Sequence, residues 1–77
     1  MKKVNEEEQE YLKKLGERIE MLRKERGLTQ VELAEKIGTK FPQIGRLERG
    51  ETNCTIIVLR KIARELNTPL NKIITIE

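Results

Sequence analysis

Apolar residues recur along this chain at helical spacing in successive stretches, and glycine or short polar clusters separate one stretch from the next. In the first, Leu12, Leu15, Ile19 and Leu22 follow one another at intervals of three, four and three residues, which puts them on one face of an α-helix. The pattern predicts a helix from about Glu6 to Arg26, with Asn5 as its N-cap and Glu6, Glu7 and Glu8 at the positive end of its dipole. The turns before Leu12 lack apolar partners, so residues 1–8 are expected to fray. Residues 1–11 read as an extension of this helix, and 12–76 as a single domain. Gly27 supplies a left-handed stop.

Thr29-Gln30-Val31-Glu32 has the form of a capping box, in which hydroxyl and carboxylate each satisfy the other residue's backbone N–H. A second helix then runs from about Gln30 to Ile37, with Leu33, Ala34 and Ile37 inward, and Gly38 ends it. A helix so short has to pack on neighbours to persist. A third, from about Phe41 to Arg49, follows the brief turn Gly38-Thr39-Lys40. Pro42 lies in its first turn, where a missing N–H costs nothing, and Ile44 and Leu47 point inward. Gly50 is another stop, and Glu51 to Cys54 reads as a loop. Thr55 caps a fourth helix, about Ile56 to Leu66, whose stripe is Ile56, Leu59, Ile62, Ala63 and Leu66. Thr68 and Pro69 form an N-cap and first-position pair for a last short helix through about Ile74. Ile73, Ile74 and Ile76 either close the core or widen a surface. The fold class is all-α.

Composition narrows the chemistry. The 77 residues include sixteen Lys or Arg, thirteen Glu, no Asp, no His and one Cys. Structural zinc needs about four Cys or His ligands, and a hydrolytic nucleophile of the usual kind needs an imidazole. No metal, cofactor or enzymatic activity is therefore expected, since Cys54 has no base beside it in sequence. A chain this short buries only about 60–65% of the surface it exposes when unfolded, which leaves a surface rather than an enclosed pocket as the natural site. No stretch approaches the roughly twenty apolar residues of a membrane span, the acidic start is unlike a signal peptide, and a lone Cys suits a reducing compartment. A cytoplasmic protein without a membrane partner is expected. Net charge is only +3, but residues 39–64 hold six bases against Glu48 and Glu51. A basic stretch is either a footprint for phosphate or an ordinary solvated face.

Two short helices joined by a glycine-containing turn, the second with a polar outer face, make a helix-turn-helix, whose second member can enter the DNA major groove. Here the segment LTQVELAEKIGTKFPQIGRLERGE, Leu28 to Glu51, resembles the Cro/Xre-type helix-turn-helix family of phage repressors and bacterial regulators. The flanks LGERIEMLRKERG and LRKIARELNTPLNKII are similar to its first helix and closing pair, so the resemblance spans roughly residues 15–74. It implies a five-helix, lambda-repressor-like DNA-binding domain. Two positions depart from the family pattern: Gly45 in mid-helix, about 1 kcal/mol below Ala in propensity, and Phe41-Pro42 in place of a polar pair.

The resemblance implies that Arg46 contacts a base or a phosphate, a guanine pair being the bidentate option and a solvated surface Arg the plain alternative. Gln43 is matched to adenine or phosphate and Lys40 to phosphate. Phe41 and Pro42 are placed to touch thymine methyls, unless Phe41 packs inward. Thr29 and Gln30 open a helix whose free N–H groups form an anion site, and Thr29 is a cap in either case. Asn53 and Thr55 are candidates for a second phosphate clamp. Arg23 and Glu48 are assigned by the resemblance to a structural salt bridge between the first and third helices. Cys54, Ile57 and Val58 form an apolar cluster read as a self-association patch, consistent with a homodimer reading two half-sites. The expectation is a sequence-specific regulator of transcription on double-stranded DNA, a repressor first of all. Its rival is an antitoxin or adaptor module that docks a protein partner and binds DNA weakly.

Overall fold

The computed structural model describes residues 5–76 and contains α1 (Glu6–Glu25), α2 (Gln30–Ile37), α3 (Phe41–Glu48), α4 (Ile56–Glu65) and α5 (Leu70–Ile74). Among the described residues there is no strand. Local chemistry sets most of the boundaries. Asn5 Oδ1 accepts from Glu8 N–H at 2.8 Å while Glu8 accepts from Asn5 N–H at 3.3 Å, closing the first turn of α1 in a reciprocal box. The first turn, expected to fray, is thus capped from Asn5 onward; the part of that expectation covering residues 1–4 lies outside the described residues. Thr29 and Glu32 make the same exchange at the start of α2, and Gly38 ends it with a φ of +76°, a conformation that costs glycine nothing.

Three helices stop one residue before their expected ends, because Arg26, Arg49 and Leu66 are C-caps rather than last helical residues. The stop after α4 is Asn67, at a φ of +51°, a residue type that tolerates the left-handed region. The expected Thr68–Pro69 start of α5 is shifted by one residue. Pro69 is itself the N-cap, and the Thr68 hydroxyl donates backward to Leu66 O at 3.0 Å.

The core is aliphatic, built on Leu15 and Ile19 of α1, Leu33 of α2, Ile44 and Leu47 of α3, Ile62 of α4 and Ile73 of α5. Ile73 is fully enclosed and Ile74 packs against the cluster, so these two close the core. Ile56 does not join it. The residue is 56% exposed, because it stands in the first turn of α4 at the edge of the stripe that Leu59 and Ile62 centre. Helix α2 packs on α3 and α4, α1 packs on α3 and α5, and α5 also meets α4. Where α1 crosses α3 the backbones come close: a Cβ at Gly16 would lie 2.5 Å from Glu48 O and nearer still to Leu47 O. Two side chains of α1 reach the last carbonyls of α5, Arg18 Nη1 to Lys72 O at 2.6 Å and Tyr11 Oη to Ile74 O.

Candidate nucleic-acid interface

Helix α3 is divided along its length. Ile44, Gly45, Leu47 and Glu48 are buried, whereas Phe41, Pro42, Gln43 and Arg46 are exposed, as is Lys40 at the N-cap. The buried side rests on α1 and α2, so the exposed side is held in place from behind. Phe41 is 49% exposed, which removes the inward-packing alternative for that ring. Lys40 stands at the N-cap position with a side chain that has no acceptor to close the first turn, and it is exposed.

The start of α2 lies beside this face. Thr29 Oγ1 accepts from Glu32 N–H at 3.0 Å, so by helix geometry the backbone N–H groups of Gln30 and Val31 remain as outward donors. The Gln30 side chain, in contrast, turns inward: Nε2 donates to Glu48 Oε1 at 2.9 Å. Glu48 is shared. Its carboxylate also accepts from Arg23 Nε at 2.6 Å and Arg23 Nη2 at 3.0 Å, and both members of this ion pair are almost completely enclosed. Arg23 Nη1 donates to Leu28 O at 2.8 Å, which ties α1 to the residue leading into α2. The hydrogen bonds to Glu48 hold the Arg23 pKa above its ordinary value against the opposing effect of burial.

On the other flank, an open groove of about 720 Å³ separates the start of α3 from the loop before α4. Lys40, Gln43, Asn53 and Thr55 line its rim, and Ile44, Cys54 and Val58 its floor. Asn53 is exposed, while Thr55 Oγ1 accepts from Val58 N–H at 3.2 Å as the cap of α4. Thr29 and Gln30 are therefore on one side of α3, and Asn53 and Thr55 on the other. The apolar cluster divides too. Cys54 and Val58 are half-buried against the core, and Ile57, 54% exposed, is joined at the surface by Ile56 instead. Burial pushes the Cys54 thiol up to about 11, so it stays protonated at neutral pH.

One exposed cation of this surface had no place among the sequence candidates. Arg49 caps α3 three residues after Arg46 and pairs with Glu51, Nε to Oε2 at 2.8 Å and Nη2 to Oε1 at 3.2 Å. The signal for it was the i, i+3 spacing from Arg46, which puts both on neighbouring parts of one helix face.

Comparison with known proteins agrees with this geometry. The Helix-turn-helix family profile matches residues 19–73. The control protein C.SmaI of Serratia marcescens is 38% identical over 61 residues, an alignment covering 79% of this chain and 73% of that protein. The immunity repressor protein of Bacillus phage phi105 is 37% identical over 60 residues, covering 78% of this chain but only 42% of the repressor. Among solved structures, the restriction-modification controller protein C.AhdI of Aeromonas hydrophila superimposes with a TM-score of 0.78 at 32% identity, over 80% of this chain and 94% of that one. With the family profile covering all of α2 to α4, this chain belongs to the helix-turn-helix family.

Proposed function

We propose that this chain is a sequence-specific DNA-binding regulator of transcription, acting as a repressor, that sets α3 in the major groove of double-stranded DNA and pairs with a second copy to read two half-sites. The observation that carries the reading is the division of α3, with Phe41, Pro42, Gln43 and Arg46 presented outward from a helix clamped through Ile44, Leu47 and Glu48. The names of the relatives, a control protein, a controller and a repressor, support the regulatory role.

In this reading Arg46 and Gln43 address base edges, and Phe41 and Pro42 supply apolar contact suited to thymine methyls. Lys40, the start of α2 at Thr29 and Gln30, and the loop residues Asn53 and Thr55 take phosphates on either side and fix the register. Nothing in this scheme calls for a cofactor or a catalytic step.

Selection of bound sites from a random duplex library tests it directly. On the selected site, Arg46→Ala should cost roughly 1–3 kcal/mol and relax one base position, whereas Lys40→Ala should weaken all sequences alike and lower the salt slope by about one unit. Equal effects of both substitutions on selected and random duplexes would break the division between readout and positioning. The exposed Ile56 and Ile57 pair favours a second reading, a module that docks a protein partner and binds DNA weakly. Salt separates the two: duplex affinity that falls steeply between about 50 and 200 mM belongs to the first, and a flat or absent response to the second.

A further inference from the structure

Gly45 is buried although it lies on the flank of a helix whose neighbouring outward positions are open. Two side chains cover it. A Cβ placed there would lie 3.1 Å from Arg49 Nη1 and 3.7 Å from Gln30 Oε1. Arg49 is four residues further on, so its guanidinium folds back along α3 into the space that a larger side chain at Gly45 would fill. Gln30 is fixed on the far side of that space by its bond to Glu48.

The Arg49 fork is meanwhile half occupied. Nε and Nη2 face the two carboxylate oxygens of Glu51, and among the described residues Nη1 makes no hydrogen bond. Both side chains of the pair stand in solvent, at 60% and 53% exposure. An exposed ion pair contributes little net stability in water, so the Glu51 carboxylate can be exchanged for another oxyanion at little cost, at a guanidinium that lies over Gly45 and next to Gln30. The planar fork that grips a carboxylate through two oxygens is also the geometry that grips a phosphate.

We propose that Arg49 is a phosphate-contacting residue of the DNA interface, docked against Gly45 and paired with Glu51, whose carboxylate occupies the fork until a backbone phosphate displaces it. The inference rests on the DNA-binding reading above. Displacement follows from charge. As the polyanion approaches, Glu51 is repelled while Arg49 is attracted, so exchanging one oxyanion for the other is favourable only when DNA is present. Glu51 therefore sets the affinity below what the bare cation would give, uniformly across sequences, because phosphate carries no base information.

The test is a double-mutant cycle on the full chain, measuring affinity against salt for a selected duplex and a random one of equal length. Arg49→Ala should weaken both duplexes about fivefold and lower the salt slope by about one unit. Glu51→Gln should tighten both, and that gain should shrink severalfold in the Arg49→Ala background, where only the direct repulsion between the carboxylate and DNA is left to remove. If Glu51→Gln tightens binding equally with and without Arg49, the carboxylate is only a distant repulsive charge and the latch is refuted. Unchanged affinity and salt slope for Arg49→Ala, with the parent chain binding normally, overturns this contact and leaves the DNA reading intact. A parent chain that binds no duplex overturns both.

Discussion

Arg23 is a charged side chain turned into the protein, where it pairs with Glu48 between α1 and α3. Its Nε, Nη1 and Nη2 each donate inside the protein, to Glu48 and to Leu28 O, and the side chain is only 7% exposed. Removing it would strand the Glu48 carboxylate at a site with 3% side-chain exposure, a loss of about 3–5 kcal/mol for a broken buried pair. That is a large fraction of the stability of any small domain. Arg23→Ala should therefore lower the urea midpoint drastically or leave the chain unfolded, and a midpoint equal to the parent's would refute the structural role. Nothing in the charge pattern marked Arg23 and Glu48 as different from the many exposed ion pairs on offer; the resemblance alone picked them out. The Gln30 bond to Glu48 was less legible still. Position placed Gln30 at a helix start, where its backbone matters, and gave no indication that the side chain turns toward a buried carboxylate.

Helix limits were legible where a side chain closes them. Asn5, Thr29 and Thr55 each accept from a backbone N–H three residues on, a bond that sequence spacing specifies by itself. The start of α5 was misplaced because Pro69 and Thr68 compete for the same role, and the hydroxyl found a carbonyl behind it instead. Packing between helices was harder to read, and the two mid-helix glycines illustrate the reason. By propensity, Gly16 and Gly45 are equivalent defects, each about 1 kcal/mol worse than Ala. By contact they are opposites. At Gly16 a methyl would run into the Leu47 and Glu48 carbonyls of α3, whereas at Gly45 it meets only the tips of Arg49 and Gln30. Gly16→Ala should thus destabilise by about 1–3 kcal/mol, as overpacking does. Gly45→Ala should leave stability level or slightly higher, since a flexible guanidinium can move aside. Thermal melts of the two variants decide it, with about 4–8 °C expected per kcal/mol at this size. Equal melting temperatures would mean that α1 and α3 can separate freely at the crossing.

At the scale of the whole molecule, the run of bases counted along residues 39–64 does not form one patch. Lys40 and Arg46 belong to the α3 surface, whereas Lys61 and Arg64 share a hollow with Glu35 and Glu65 at the end of α2. A linear tally sums charges that folding distributes to different sides. Size is the more informative quantity. The molecule measures 34 × 25 × 20 Å, and half-sites one helical turn apart are separated by about 34–36 Å. Two copies set in successive grooves on one face of the duplex are therefore close enough to touch, and the exposed pair Ile56 and Ile57 gives them apolar surface to share. Ile57→Gln, which adds no charge near Asn53 and Thr55, should abolish that association. Sedimentation equilibrium should find the parent chain dimeric at high concentration and the variant monomeric, and at dilutions where both are monomeric the two should melt together, because Ile57 lies outside the core. A parent chain that sediments as a monomer with and without a two-site duplex would exclude the dimer. Ile57 lies at the start of α4, on the helix beyond the groove that borders α3, so the substitution separates assembly from readout. The variant should keep its affinity for a single half-site and lose only the gain from the second.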